Sequence, residues 1–293
     1  MDETFLYRIY CFECLLCRIN SNHSIMKRSI LTILLFSSMR LVVGQTNPTC
    51  TDSCESRMKE YPILYQQSAA EYRALCYQSF NIAALRLNQI INAKTKKPAI
   101  ITDLDETILD NSYQEATLIK NDQDFTEASW KEWTSKSAAT AVPGAVEFLQ
   151  KAKQRGVTIF YISNRDTSEL KSTLINLKKL KLPDADLSHM LFLSNTSSKE
   201  TRRQKVMNKY NVVMLLGDNL NDFMNIFEKK DVIDRFAATD KMKAEWGKRF
   251  IVLPNASYGE WENAVYEYQH TLSPQQKESK RRNKLKDESD IEN

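Results

Sequence analysis

The chain has 293 residues, 42% of them hydrophobic and 27% charged, which is enough apolar material for one large α/β domain or two small ones and too much for a disordered polymer. Its formal net charge of +4 comes mostly from its two ends, and between residues 45 and 276 basic and acidic side chains nearly cancel. That balance removes the electrostatic case for a protein that binds nucleic acid or a membrane surface.

In chain order, residues 1–25 read as an extension upstream of a second plausible start at Met26. Their C-x-x-C-x-x-C spacing (Cys11, Cys14, Cys17) has no second ligand pair downstream, so a zinc site there is not expected. Residues 26–44 have the parts of a secretory signal: basic Lys27 and Arg28, an apolar run, and Val42 and Gly44 at the point of cleavage. Arg40 interrupts the run before it reaches the roughly 20 residues a membrane span needs. The expected product is therefore exported, periplasmic or secreted, and carries no stable span. Cys50, Cys54 and Cys76 would remain, and an oxidising compartment could pair two of them.

Residues 45–97 form an N-terminal helical segment, with a helix expected from Asp52 to Ala93. Leu75, Phe80, Ala83, Ala84, Leu87 and Ile91 recur there at three-to-four spacing, and Pro98 closes the segment. Five short apolar, β-branched runs follow: Ala99 to Thr102, Val157 to Ile162, Met190 to Leu193, Val212 to Leu216 and Phe250 to Leu253. Helical stretches separate them, "GAVEFLQKAKQRG" with Gly156 as its stop, "TSELKSTLINLKKLK", "SSKETRRQKVMNKY" and "NDFMNIFEKK". Strand and helix alternating in this way predict an α/β fold with a doubly wound parallel sheet over residues 98–270. Asn111 to Pro143 breaks the rhythm, has no clear strand and carries Trp130 and Trp133, so a small, mainly helical cap is expected over residues 111–143. Residues 271–293 read as a charged, frayed tail.

In an open parallel sheet, ligands bind beyond the carboxyl ends of the strands. Asp103 and Asp105 follow the first strand, Ser163 and Asn164 the second, Lys199 the third, and Asp218 and Asp222 the fourth. Carboxylates gathered at one edge repel one another unless a cation neutralises them, and an all-oxygen donor set favours a hard ion such as Mg²⁺. Such an ion, a lysine and a hydroxyl suit a phosphoryl group, with Asp103 placed to attack phosphorus and Asp105 to exchange protons. His23, His189 and His270 do not cluster, so a histidine phosphatase mechanism lacks its residues.

"DLDET" resembles the D-x-D-x-T signature of the haloacid dehalogenase (HAD) superfamily. "YISNR", Lys199 in "SSKETRR" and "GDNLNDF" stand as its second, third and fourth motifs. "DLDETILDNS", "VPGAVEFL" and "FIVLPNASYGEWE" narrow the resemblance to the bacterial class C acid phosphatases, the lipoprotein e(P4)-like 5'-nucleotidase group, over roughly residues 68–268. The resemblance implies a Rossmann-like core. It implies Asp103 as nucleophile, Asp105 as acid/base whose carbonyl also meets the metal, Asp218 as a further Mg²⁺ ligand and Asp222 as an acid near the metal or Lys199. It makes Ser163, Asn164 and Lys199 phosphate-binding, and Trp130 and Tyr258 the aromatic residues flanking the substrate; of the two tryptophans the residues alone favour neither. Glu106 and Asp110 are left as structural acids. "NPTC" before Cys50 lacks the small-residue pattern of a lipidated cysteine, which puts a lipid anchor in doubt.

The implied activity is a Mg²⁺-dependent acid phosphatase acting on phosphate monoesters, nucleoside monophosphates above all, through an aspartyl-phosphate. Transfer to an alcohol or nucleoside acceptor, and a non-catalytic nucleotide-binding surface protein, are the alternatives. The expected partner is a small phosphate ester and not a nucleic acid polymer; a homodimer is compatible with the sequence but not determined by it.

Overall fold

The computed structural model describes residues 55–193 and 195–291. The signal, the upstream extension with its three cysteines, and Cys50 and Cys54 lie outside the described residues. Cys76 is a free thiol with no exposed surface.

Three helices open the fold, α1 (Glu55–Met58), α2 (Glu60–Ser68) and α3 (Ala70–Ile90). The single helix expected from Asp52 to Ala93 is thus interrupted at Lys59 and again at Ala69, whose ψ of 124° is extended. The buried stripe of α3 runs through Tyr72, Cys76, Phe80, Ala83 and Leu87, whereas Leu75 is 41% exposed and does not belong to it. Then come β1 (Pro98–Thr102), β2 (Leu109–Asp110), α4 (Ser112–Lys120), α5 (Glu127–Ser135), β3 (Thr140–Ala141), α6 (Ala145–Gln154) and β4 (Thr158–Asp166). The chain continues through α7 (Leu170–Lys179), β5 (Met190–Leu193), α8 (Glu200–Met207), β6 (Asn211–Gly217), α9 (Val232–Lys241), β7 (Phe250–Val252), α10 (Glu260–Val265) and α11 (Pro274–Lys284).

The main sheet has the order β5-β4-β1-β6-β7 and is parallel throughout. Its central strand β1 buries four of its five residues, as a strand covered on both faces must. Successive side chains alternate between faces. Ile100 joins Phe80, Phe148, Leu149 and Tyr161 under α3 and α6. Ile101 joins Phe160, Val206, Leu215, Phe223 and Phe250 on the other face. Each large aliphatic or aromatic side chain withdrawn from water contributes roughly 1.5–3 kcal/mol against the entropy of ordering the chain. Gly156 ends α6 as expected: its φ of +79° is left-handed, and Gly156 N–H and Val157 N–H donate back to the carbonyls of Lys153 and Ala152.

Within the interval 111–143 the chain forms α4 and α5, and the stretch read as strandless also holds β3, which pairs antiparallel with β2. Two helical expectations shift. "NDFMNIFEKK" holds only two 3₁₀ turns, Leu220–Asp222 and Asn225–Phe227, and the helix lies further on at α9. The tail is not frayed throughout, since Ser273 accepts from the Gln276 N–H and, with Pro274 behind it, starts α11.

Candidate active site

Because β1 has neighbours on both sides, its carboxyl end opens on the point where the chain winds outward in two directions. Asp103 extends the strand, its N–H donating 3.0 Å to the Leu216 carbonyl of β6. The loop then folds on itself, with Ile108 and Leu109 N–H both bonding the Leu104 carbonyl and Glu106 N–H bonding the Leu109 carbonyl. This turn needs a left-handed residue, and Glu106 takes it with a φ of +55°. The strain is offset by its carboxylate, which accepts from Asn111 N–H at 2.9 Å, Asn111 Nδ2 at 3.3 Å and the Tyr258 hydroxyl.

The strand ends border a cleft of about 720 Å³ lined by Asp103, Asp105, Lys199, Asp218, Trp130 and Tyr258, among others. Asp103, Asp218 and Asp222 each offer a carboxylate oxygen, and the three lie within 4.8 Å of one another. Lys199 sits among them, bonding Asp103 Oδ1 and, at 2.6 Å, Asp222 Oδ1, with all three side chains nearly without solvent contact. Asp218 accepts from Thr107 Oγ1 at 3.1 Å and Asn255 Nδ2 at 2.8 Å. It is not a helix cap: the N-cap of the following turn is Asn219. Gly217 makes room for Asp222, because a Cβ there would stand 2.5 Å from the Asp222 Cβ and Oδ2.

Electrostatics follow this crowding. Burial pushes the Asp103 carboxyl well above its usual range, Lys199 pulls it back, and Asp222, Asp218 and Asp105 push it up again. Burial and the Asp222 charge carry Asp218 to about 7. Lys199 is opposed by burial but raised by Asp103 and Asp222, and so stays a cation. Burial also opposes ionisation of Asp105, yet the Arg165 guanidinium and its hydrogen bonds, with Asn111, hold that carboxyl below the usual range.

Eight of the nine residues singled out in the sequence line the cleft, and Ser163 lies behind its wall. Ser163 is buried, its hydroxyl 3.4 Å from Asp105 Oδ2 and accepting from Arg165 N–H. Asn164 points to the cleft side of β4 and accepts from Arg202 Nη2 at 2.6 Å. Of the basic residues near Lys199, Arg202 also bonds the Ser163 carbonyl, Arg203 the Asn221 carbonyl, and Lys205 is exposed. Trp130 lines the cleft, while Trp133 packs against the core and donates its indole N–H to Asn111 Oδ1 at 2.9 Å. Tyr258 also lines the cleft, with its hydroxyl on Glu106.

Sequence reasoning overlooked Arg165, Asn111 and the burial of Glu106, at about 2% exposure. Burial first, then the Asp105 charge, raise the Glu106 carboxyl to about 8. A signal for Arg165 existed: β4 runs to Asp166, and period-two alternation puts Arg165 on the Ser163 side of the strand. Among the described residues no helix is long and apolar enough to cross a membrane.

Residues 21–261 match the family model described as HAD superfamily, subfamily IIIB (acid phosphatase). The fold is similar to two structures of the class C acid phosphatase from Bacillus anthracis, each 38% identical. One, with tungstate bound, superposes with a TM-score of 0.76 over 79% of this chain and 98% of that one. The other gives 0.77 over 80% and 99%.

Proposed function

The chain belongs to the HAD subfamily IIIB acid phosphatases and is a phosphomonoesterase, and on that premise we propose that it hydrolyses nucleoside monophosphates or small aryl phosphates with Mg²⁺ and an aspartyl-phosphate on Asp103. The observation that carries this reading is the Asp103, Asp218, Asp222 and Lys199 cluster at the end of β1. Its donors are all oxygen, and Lys199 alone does not offset the three carboxylates, which fits a hard divalent cation. Asp103 and Asp218 would hold the ion, with the Asp105 carbonyl, and Asp222 would serve chiefly to hold Lys199. When bound, Mg²⁺ supplies charge that stabilises the phosphoryl oxygens.

Lys199 favours the ionised form of Asp103 against the burial and the neighbouring carboxylates that raise it, and its ammonium faces the site of the transferred phosphoryl group. Asn164 and the Ser163 region complete the phosphate loop. Asp103 Oδ attacks phosphorus as the ester P–O bond breaks, and Asp105 gives its proton to the leaving oxygen. In the second half Asp105 takes a proton from water as the water oxygen attacks phosphorus, freeing inorganic phosphate and Asp103. Arg165 disfavours the protonated form of Asp105, so that form grows as pH falls, in keeping with an acidic preference. Trp130 and Tyr258 supply aromatic faces for a base or aryl ring. One Bacillus anthracis structure has tungstate, an oxyanion, bound, and oxyanion binding is what is proposed for this cleft. Export rests on the Met26 to Gly44 segment.

The test is a rate panel over nucleoside monophosphates, sugar phosphates and 4-nitrophenyl phosphate, with Mg²⁺ and with chelator. Asp103→Asn should abolish turnover while the circular dichroism stays that of the parent; near-parental hydrolysis would sink the mechanism.

A further inference from the structure

Arg165 has no catalytic step in the reading above, yet its guanidinium is bonded on nearly every side. Its side chain is 1% exposed. Nη2 donates to Asp105 Oδ1 at 2.6 Å, and Nε reaches both carboxylate oxygens at 3.1 and 3.2 Å. Nη1 donates to Thr173 Oγ1 of α7 at 3.0 Å. The guanidinium carbon lies 5.4 Å from the centre of the Trp130 ring. A planar fork on a carboxylate fixes the plane of that carboxylate as well as its place, which a point charge does not. The aromatic ring and the Thr173 hydroxyl fix the fork in turn.

We propose that Arg165 is a positioning residue that holds the Asp105 carboxyl in the orientation from which its proton reaches the leaving oxygen, with Thr173 and Trp130 holding Arg165. The inference rests on the proposed role of Asp105 as the acid. Asn111 Nδ2, 2.9 Å from Asp105 Oδ1, steadies the same carboxyl from the cap side. Without the fork, Asp105 keeps this bond and the distant Ser163 contact, neither of which sets its plane.

Misaligning an acid matters most where the leaving oxygen most needs a proton. The experiment uses the Mg²⁺-loaded full chain and a series from 4-nitrophenyl phosphate through phenyl phosphate to a nucleoside monophosphate. Arg165→Gln should lower kcat for the nucleoside ester on the order of 10²-fold, the lower end of general-acid effects, and for 4-nitrophenyl phosphate less than about tenfold. Thr173→Val keeps the cation and should show the same slope, reduced in size, which guards against an Arg165→Gln protein that fails to fold. Asp105→Asn is run beside them. If its losses are flat across the series, the acid assignment falls and this inference with it. If its losses are steep while those of Arg165→Gln and Thr173→Val are flat or absent, this inference alone is overturned.

Discussion

Gly217 is the point at which the smallest covalent change should disturb the site most. Adding one methyl group as Gly217→Ala sets a Cβ 2.5 Å from both Cβ and Oδ2 of Asp222, where ordinary contact begins at 3.4 Å. Asp222 must retreat by about 0.9 Å, and its Cβ is tied to backbone, so rotating the carboxylate alone does not relieve the clash. A retreat of that size would stretch the 2.6 Å Lys199–Asp222 bond to roughly 3.5 Å, beyond useful hydrogen bonding. A lost charge-assisted bond costs about 1.5–3 kcal/mol and overpacking about 1–3 kcal/mol, so a total of about 2.5–6 kcal/mol follows. For a domain of this size that lowers Tm by roughly 5–24 °C. Thermal melts followed by fluorescence, with and without Mg²⁺, read the stability, and phosphate release reads kcat, which should fall because Lys199 loses one of its two anchors. A Gly217→Ala protein melting within about 2 °C of the parent with full kcat would refute the reasoning.

The two tryptophans should separate by assay. Trp130→Ala should raise KM for nucleoside and aryl phosphates by about 5- to 30-fold, the loss of one aromatic contact of about 1–2 kcal/mol, and leave the KM for glycerol phosphate nearly unchanged. Trp133→Phe should instead cost about 1 kcal/mol of stability through the lost bond to Asn111, read as a shifted denaturant midpoint. In chelator, Asp218 at about 7 and Glu106 at about 8 hold protons in the folded state that the unfolded chain has released. The folded state then binds more protons than the unfolded one between the ordinary carboxyl range and about pH 8, so stability should fall as pH rises through that window and level off above it. Denaturation at pH 5, 6, 7 and 8 without metal measures the slope, and a rising stability would contradict the burial of these acids.

The strands were legible because a doubly covered parallel sheet demands uninterrupted β-branched runs, and "PAII" and "NVVMLL" have no other use in a chain with this spacing of turns. Asp103, Asp105, Lys199 and Asp218 were legible because strand ends in such a sheet converge on one edge. The break at Ala69 and the exposure of Leu75 were not, since apolar period alone does not reveal which stripe finds a partner. "NDFMNIF" has helical spacing, but Asn219 caps a tight turn that holds Asp222 against Lys199, and this tertiary bond prevails over local period.

Glu106 shows the same limit from another side. In the linear chain it is one more acid in an exposed-looking run; in the fold it is buried, left-handed and bonded to Tyr258, 152 positions away. The sequence by itself determined which chemical groups reach the carboxyl edge of the sheet, because period two acts locally and every strand carries its own loop. Only the tertiary structure decided how those groups pair there: Arg165 with Asp105 across 60 positions and Lys199 between Asp103 and Asp222. Such pairing depends on distances between strands, which no stretch of neighbouring residues encodes.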